Sequence, residues 1–150
     1  MSRRSDAREM VERRAAAAAD ARNLVLELVE KIDPGYIDPM DADVANLESG
    51  EIIRRQVFMF LPEAGISQVL VTNRRLMVRP GGGSLVSLWW SALTGFSFNL
   101  ADERVWFDFG DGNLQILDGF AAPILAVVGV FELYGTKGLA RHTGLDPLRY

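Results

Sequence analysis

A general base working near neutral pH would have to be His142, the only histidine in the chain. Its neighbours Arg141 and Thr143 offer neither a nucleophile nor a second metal ligand, so the spacing predicts no triad, no metal site and a solvated tail histidine. Cysteine is absent, which removes thiol nucleophiles, thiolate ligands and disulfides together and fits a reducing compartment. The acids are scattered, with Asp108 and Asp111 placed as turn formers, and none follows a metal-loop spacing. Pro80-Gly81-Gly82-Gly83-Ser84 is rich in glycine, but it lacks the Lys-Ser/Thr ending of a phosphate loop and precedes a strand. It predicts a mobile hairpin connection. These readings together predict a protein that is no enzyme and takes no cofactor or metal.

The remaining candidates are surfaces. Arg3, Arg4, Arg8, Arg13, Arg14 and Arg22 could form a nucleic-acid arm. They are interleaved with Asp6, Glu9, Glu12 and Asp20, and Arg8 with Glu12 and Glu9 with Arg13 are helical i, i+4 pairs, which predicts a salt-bridged solvated helix instead. A net charge of -4 agrees that nucleic acid is not the partner. From Glu51 to Tyr150 nine basic residues face nine acidic ones, so general attraction to anionic membranes is not expected. Trp89 and Trp90 are adjacent in a strand, so one indole should enter the core while the other faces outward. The outward one is covered either by the N-terminal helix or by a partner.

The elements that would hold these residues read clearly. Residues 6–32 contain no Gly or Pro, Asp6 with Glu9 forms a capping pair, and Val25, Leu28, Val29 and Ile32 make an apolar stripe. Met1 to Asp20 lacks the apolar core of a signal peptide and should project or dock weakly. Asp33-Pro34-Gly35 stops the helix, and Tyr36 to Glu48 reads as a linker with one helical turn. From Glu51 the period becomes two. Strands are expected at Ile53 to Leu61 (Ile53, Val57, Met59 and Leu61 on one face), Ile66 to Thr72, Leu76 to Arg79, Ser84 to Trp89, Gly95 to Leu100, Arg104 to Phe109 and Asn113 to Leu117. Asn73, tolerant of positive φ, closes the second hairpin and leaves Arg74 and Arg75 at its rim, and Asp111-Gly112 marks the last one. Pro123 opens a helix to about Tyr134 that is apolar all round and needs cover on more than one side, for which the stripe on the first helix is the natural candidate. A short helix at Leu139 to Arg141 is the most expected of the tail. The longest apolar run, Ile124 to Phe131, is shorter than the ~20 residues of a membrane span.

Three stretches carry a family likeness. Leu47-Glu48-Ser49-Gly50-Glu51, Val69-Leu70-Val71-Thr72-Asn73-Arg74-Arg75-Leu76-Met77-Val78 and Phe107-Asp108-Phe109-Gly110-Asp111-Gly112 resemble the opening, the second hairpin and a late hairpin of bacterial pleckstrin-homology-like and GRAM-like domains. The resemblance covers about Leu47 to Tyr134. It implies a mainly β (α+β) fold, a seven-stranded antiparallel barrel capped by a C-terminal helix, here with an extra N-terminal helix. The chain then divides into an N-terminal helix and linker (1–46), the barrel with its capping helix (47–134) and a tail (135–150). Eukaryotic relatives bind inositol lipids through basic residues in the first hairpin. Leu61-Pro62-Glu63-Ala64-Gly65 has an acid there and no base, which argues against that ligand.

The expected function is a cytoplasmic protein-interaction or adaptor module, with a peripheral membrane-lipid binder as the alternative. The expected partner is a protein, or a second copy of the chain. The candidate interaction surface is Trp89, Trp90, Arg74, Arg75, Val25, Leu28, Val29 and Ile32. The preference for arginine over lysine is a bias of GC-rich genomes, such as those of actinobacteria and their phages.

Overall fold

A computed structural model describes residues 3–34 and 46–149, and the linker expected over Tyr36 to Glu48 falls mostly outside them. Helix α1 (Arg3–Glu30) precedes strands β1 (Ile53–Leu61), β2 (Gly65–Thr72), β3 (Arg75–Arg79), β4 (Val86–Trp89), β5 (Gly95–Asn99), β6 (Arg104–Asp108) and β7 (Leu114–Asp118). Helix α2 (Ala122–Arg141) and a 3-10 segment (Thr143–Leu148) complete the chain. All strands pair antiparallel in the order β4-β3-β2-β1-β7-β6-β5. β4 and β5 are therefore free edges, and the sheet is open. β1 and β7 share one registered pair, Phe60 with Asp118, so the two halves of the sheet part on either side of it.

α2 packs against β5 and β6 on one side and against α1 on the other. Its length and composition would suffice for a membrane span. Here Ile124 to Val130 are buried without a gap, as expected of an apolar helix covered on more than one side. The first segment ends at Tyr134, where the sequence placed the stop, because Gly135 adopts φ 69°, ψ -163°, a conformation essentially reserved for glycine. A second short segment then carries Leu139 into the core, and Leu145 and Leu148 are buried beyond it. The tail is thus packed. His142 is half-buried rather than solvated: its ring lies 5.2 Å from that of Phe98, and its Nδ1 accepts a hydrogen bond from the Gly144 amide at 3.0 Å.

Gly129 lets this packing close, since a Cβ there would lie 2.5 Å from Cζ of Phe96. In an ordinary helix Gly→Ala gains about 1 kcal/mol. Here the methyl group overpacks the ring, and Gly129→Ala is expected to cost ~1–3 kcal/mol in a denaturant melt. Equal or greater stability would show that Phe96 moves freely.

The seam between the helices differs from the expected stripe. Ala21, Leu24 and Leu28 are buried, with Ala18 and Val25 packed against them, while Val29 and Ile32 are exposed. Small alanines allow close approach and turn the helix so that 21, 24 and 28 face α2. Lys31, at φ 57°, then leads the chain out of the helix before Ile32. At the other end α1 begins at Arg3, so Asp6 lies in its first turn instead of capping it.

A β-bulge adds a polar anchor. The β1–β2 register shifts between Ile53 and Arg55. Arg55 keeps the face of Val57 and Met59 that alternation gives it, while the shift sends Ile53 to the opposite face with Leu70 and Met77, against the simple alternation. Arg55 Nε donates to both Asp20 carboxylate oxygens at 3.1 Å, and its Nη1 and Nη2 bond Glu27, two helical turns further along α1. Burial opposes the charge of Arg55, yet the Glu27 and Asp20 carboxylates more than offset it and raise its pKa.

Candidate functional site

Arg74 and Arg75 were expected side by side at a rim. Arg75 is instead buried, because Thr72 and Asn73 fold the hairpin back onto the chain before β1. Asn73 does not take positive φ. Its side chain accepts from the Ile52 amide at 2.9 Å and donates to the Gly50 carbonyl at 3.2 Å. Thr72 Oγ1 accepts from the amides of Arg74 and Arg75, at 3.1 and 2.9 Å, and donates to Glu51 Oε2 at 2.6 Å. Arg75 closes the knot: Nε and Nη2 reach the two Glu51 oxygens at 2.9 Å each, and Nη1 donates to Ser87 Oγ at 2.9 Å. Burial pushes the Glu51 carboxyl up. Hydrogen bonds from Arg75, Thr72 and the Glu48 amide hold it below its ordinary value all the same. Gly50-Glu51 and Thr72-Asn73-Arg74-Arg75, two separate motifs in the sequence, are therefore two halves of one structural lock. Arg74 stays at the edge, where its side chain lies near Gly50.

The tryptophan pair divides as alternation requires. Trp90 is buried beside Phe107 and Phe109, and its Nε1 donates to the Thr72 carbonyl at 2.9 Å. Trp89, 37 % exposed, stands on the sheet face away from α1 with the Arg75 guanidinium 4.6 Å from its ring centre. That cation–π contact leaves one face of the indole available. The glycine loop has a defined local structure: Pro80–Gly82 forms a 3-10 turn, and the Gly81 amide donates to Ser67 Oγ at 3.2 Å.

No group of three or more His, Cys, Asp or Glu that could hold a metal occurs among the described residues. One carboxylate is unusual. Burial pushes the Glu132 carboxyl of α2 up to about 7 against the opposing pull of Arg54, whose Nη1 is itself buried without a hydrogen-bond partner among the described residues. The folded protein therefore holds a proton that the unfolded chain releases near 4.5. Stability is full below that pH and falls as pH rises through about 7. Allowing for partial solvent access, the loss is about 2 kcal/mol. Glu132→Gln should keep its stability between pH 5 and pH 8, measured as the difference from wild type in urea melts. Parallel losses in both proteins would contradict this.

An apolar surface is exposed on the outer sheet face, across β1 and β2 and beside the seam of β1 with β7. Phe58 (51 %), Phe60 (48 %) and Ile66 (73 %) are open to solvent, with Phe60 directly opposite Ile66 across β1–β2. Exposed Leu114 and half-buried Ile116 and Trp106 continue the surface across β7 and β6. Between the halves, where the strands part, lies a cleft of about 650 Å³ lined by Leu61, Pro62, Glu63, Leu114 and Ile116. Asp118, beside Phe60, is paired with Arg104 at 2.5 Å. This row is not among the residues singled out from the sequence, yet the signal was present. Period two sends Phe58 and Phe60 to the face opposite Met59, where a strand with one solvated side carries polar residues. Of the residues that were singled out, Leu28, Trp90 and Arg75 are buried, Val25 is half-buried, and Trp89, Arg74, Val29 and Ile32 remain open.

No family model, curated protein or solved structure matches this chain.

Proposed function

We infer that the chain is a non-enzymatic pleckstrin-homology-like interaction module whose sheet, a barrel left open between β4 and β5, presents the β1–β7 seam to a protein partner. The strand order and the apolar helix following β7 support the family reading. The observation that carries the function is the group Phe58, Phe60 and Ile66, three large apolar side chains exposed on one sheet face, next to a cleft that begins at Leu61. Exposed aromatic groups are frequent anchors of protein interfaces. Asp118 on this face is neutralised by Arg104, and Glu63 at the cleft is an acid, so the face offers no surplus of cations to an anionic bilayer, which disfavours the lipid alternative.

A photo-crosslinking residue at position 60 tests this in cells of the source organism, with one at Glu12, exposed on α1 on the opposite side of the molecule, as control. A discrete protein adduct at 60 and none at 12 is the expected result. Adducts to lipid alone, or identical patterns at both positions, would refute it.

A further inference from the structure

On the opposite, helical side of the molecule a groove of about 340 Å³ runs between the C-terminal half of α1 and the end of the chain. Val25, Leu139, Leu145 and Leu148 line it, and exposed Leu26 and Val29 continue its wall along α1 into a second, adjoining depression. Four cations, Arg22, Lys137, Arg141 and Arg149, border the two depressions, and among the described residues no acid lines either. In a chain of net charge -4 this patch has the sign opposite to the whole. Arg149 is committed, bonding Asp146 and the carbonyls of Leu139 and His142. Arg22, Lys137 and Arg141 make no ion pair among the described residues.

We propose that this groove docks an acidic, leucine-bearing amphipathic helix of a protein partner, a second site independent of the outer sheet face. The occupant must be apolar on one side to fill a floor of leucines and anionic on its flanks to meet Arg22, Lys137 and Arg141, which have no ion pair among the described residues. Two helices already form the walls, and an apolar helical stripe of i, i+4, i+7 side chains fits such a channel. A bilayer surface is flat. It meets the rim charges and not Leu139, Leu145 and Leu148, which are buried at the floor.

The full chain, labelled at its leucine and valine methyl groups, tests this with three probes. These are a synthetic amphipathic peptide with leucines on one face and glutamates flanking them, its lysine-flanked counterpart, and phosphatidylserine–phosphatidylcholine vesicles. The acidic peptide alone should shift the methyl signals of Leu26, Leu139, Leu145 and Leu148, and should bind more weakly as salt rises. Arg22→Glu with Arg141→Glu should weaken it about tenfold. Both side chains are exposed, and Arg22→Gln with Arg141→Gln gives a milder pair should reversal disturb the fold. Phe58→Ser with Phe60→Ser should leave the peptide affinity unchanged, which separates this site from the outer face. Equal binding of the lysine peptide, insensitivity to charge reversal, or binding of vesicles without peptide would each overturn the proposal.

Discussion

Arg75→Met is expected to destabilise the fold by ~3–5 kcal/mol, the cost of stranding a buried carboxylate by removing its partner. The Glu51 side chain has no solvent access, and Arg75 supplies two of the hydrogen bonds that hold its charge. In the wild type that charge is stabilised, so its contribution is present above the ordinary carboxyl value of 4.5 and is lost as pH falls through the lower, folded one. Without Arg75 the burial that opposes the charge dominates, and the carboxyl titrates higher. The deficit of the variant should therefore shrink in acid, and Glu51→Gln added to Arg75→Met should recover part of it. Urea melts across pH test this. A loss under ~1 kcal/mol, the scale of an exposed pair, would mean that the lock is ornamental.

Leu24→Asp should be as damaging. Leu24 is fully buried at the seam of α1 with α2, and an unpaired carboxylate there costs ~4 kcal/mol or more, enough to strip α1 away and expose the apolar helix beneath. Val29→Asp, on an exposed position of the same helix, should stay within about 0.5 kcal/mol of wild type. Thermal melting with size-exclusion chromatography distinguishes the two, Leu24→Asp melting early and aggregating. Equal losses would restore the stripe read from periodicity.

That stripe shows where sequence reasoning stops. Alternation placed seven strands within two residues of their observed bounds, and Pro123 and the apolar run placed the first segment of α2. These are local patterns repeated over many residues. What failed depended on single contacts. Alanine carries little weight in a hydrophobic pattern, so the faces at Ala18 and Ala21 were invisible and the helix was rotated toward Val29. A bulge at Arg54 cannot be heard in a period of two, and it moved Ile53 across the sheet. The burial of Arg75 required Glu51, 24 residues earlier, to arrive at the same hairpin. Both motifs were noticed, but nothing local joined them. The outer row was legible as phase and passed over as composition.

The central claim is that binding belongs to the outer face and is separable from the buried lock. The most direct measurement is the retention, by an immobilised Phe58→Ser, Phe60→Ser double variant, of the protein that crosslinks at position 60. Both side chains are about half exposed, so the variant should melt close to wild type, within about 1 kcal/mol. Retention should fall at least about tenfold, as the loss of central aromatic anchors demands. Undiminished retention by a folded double variant would contradict the claim and move the binding surface elsewhere.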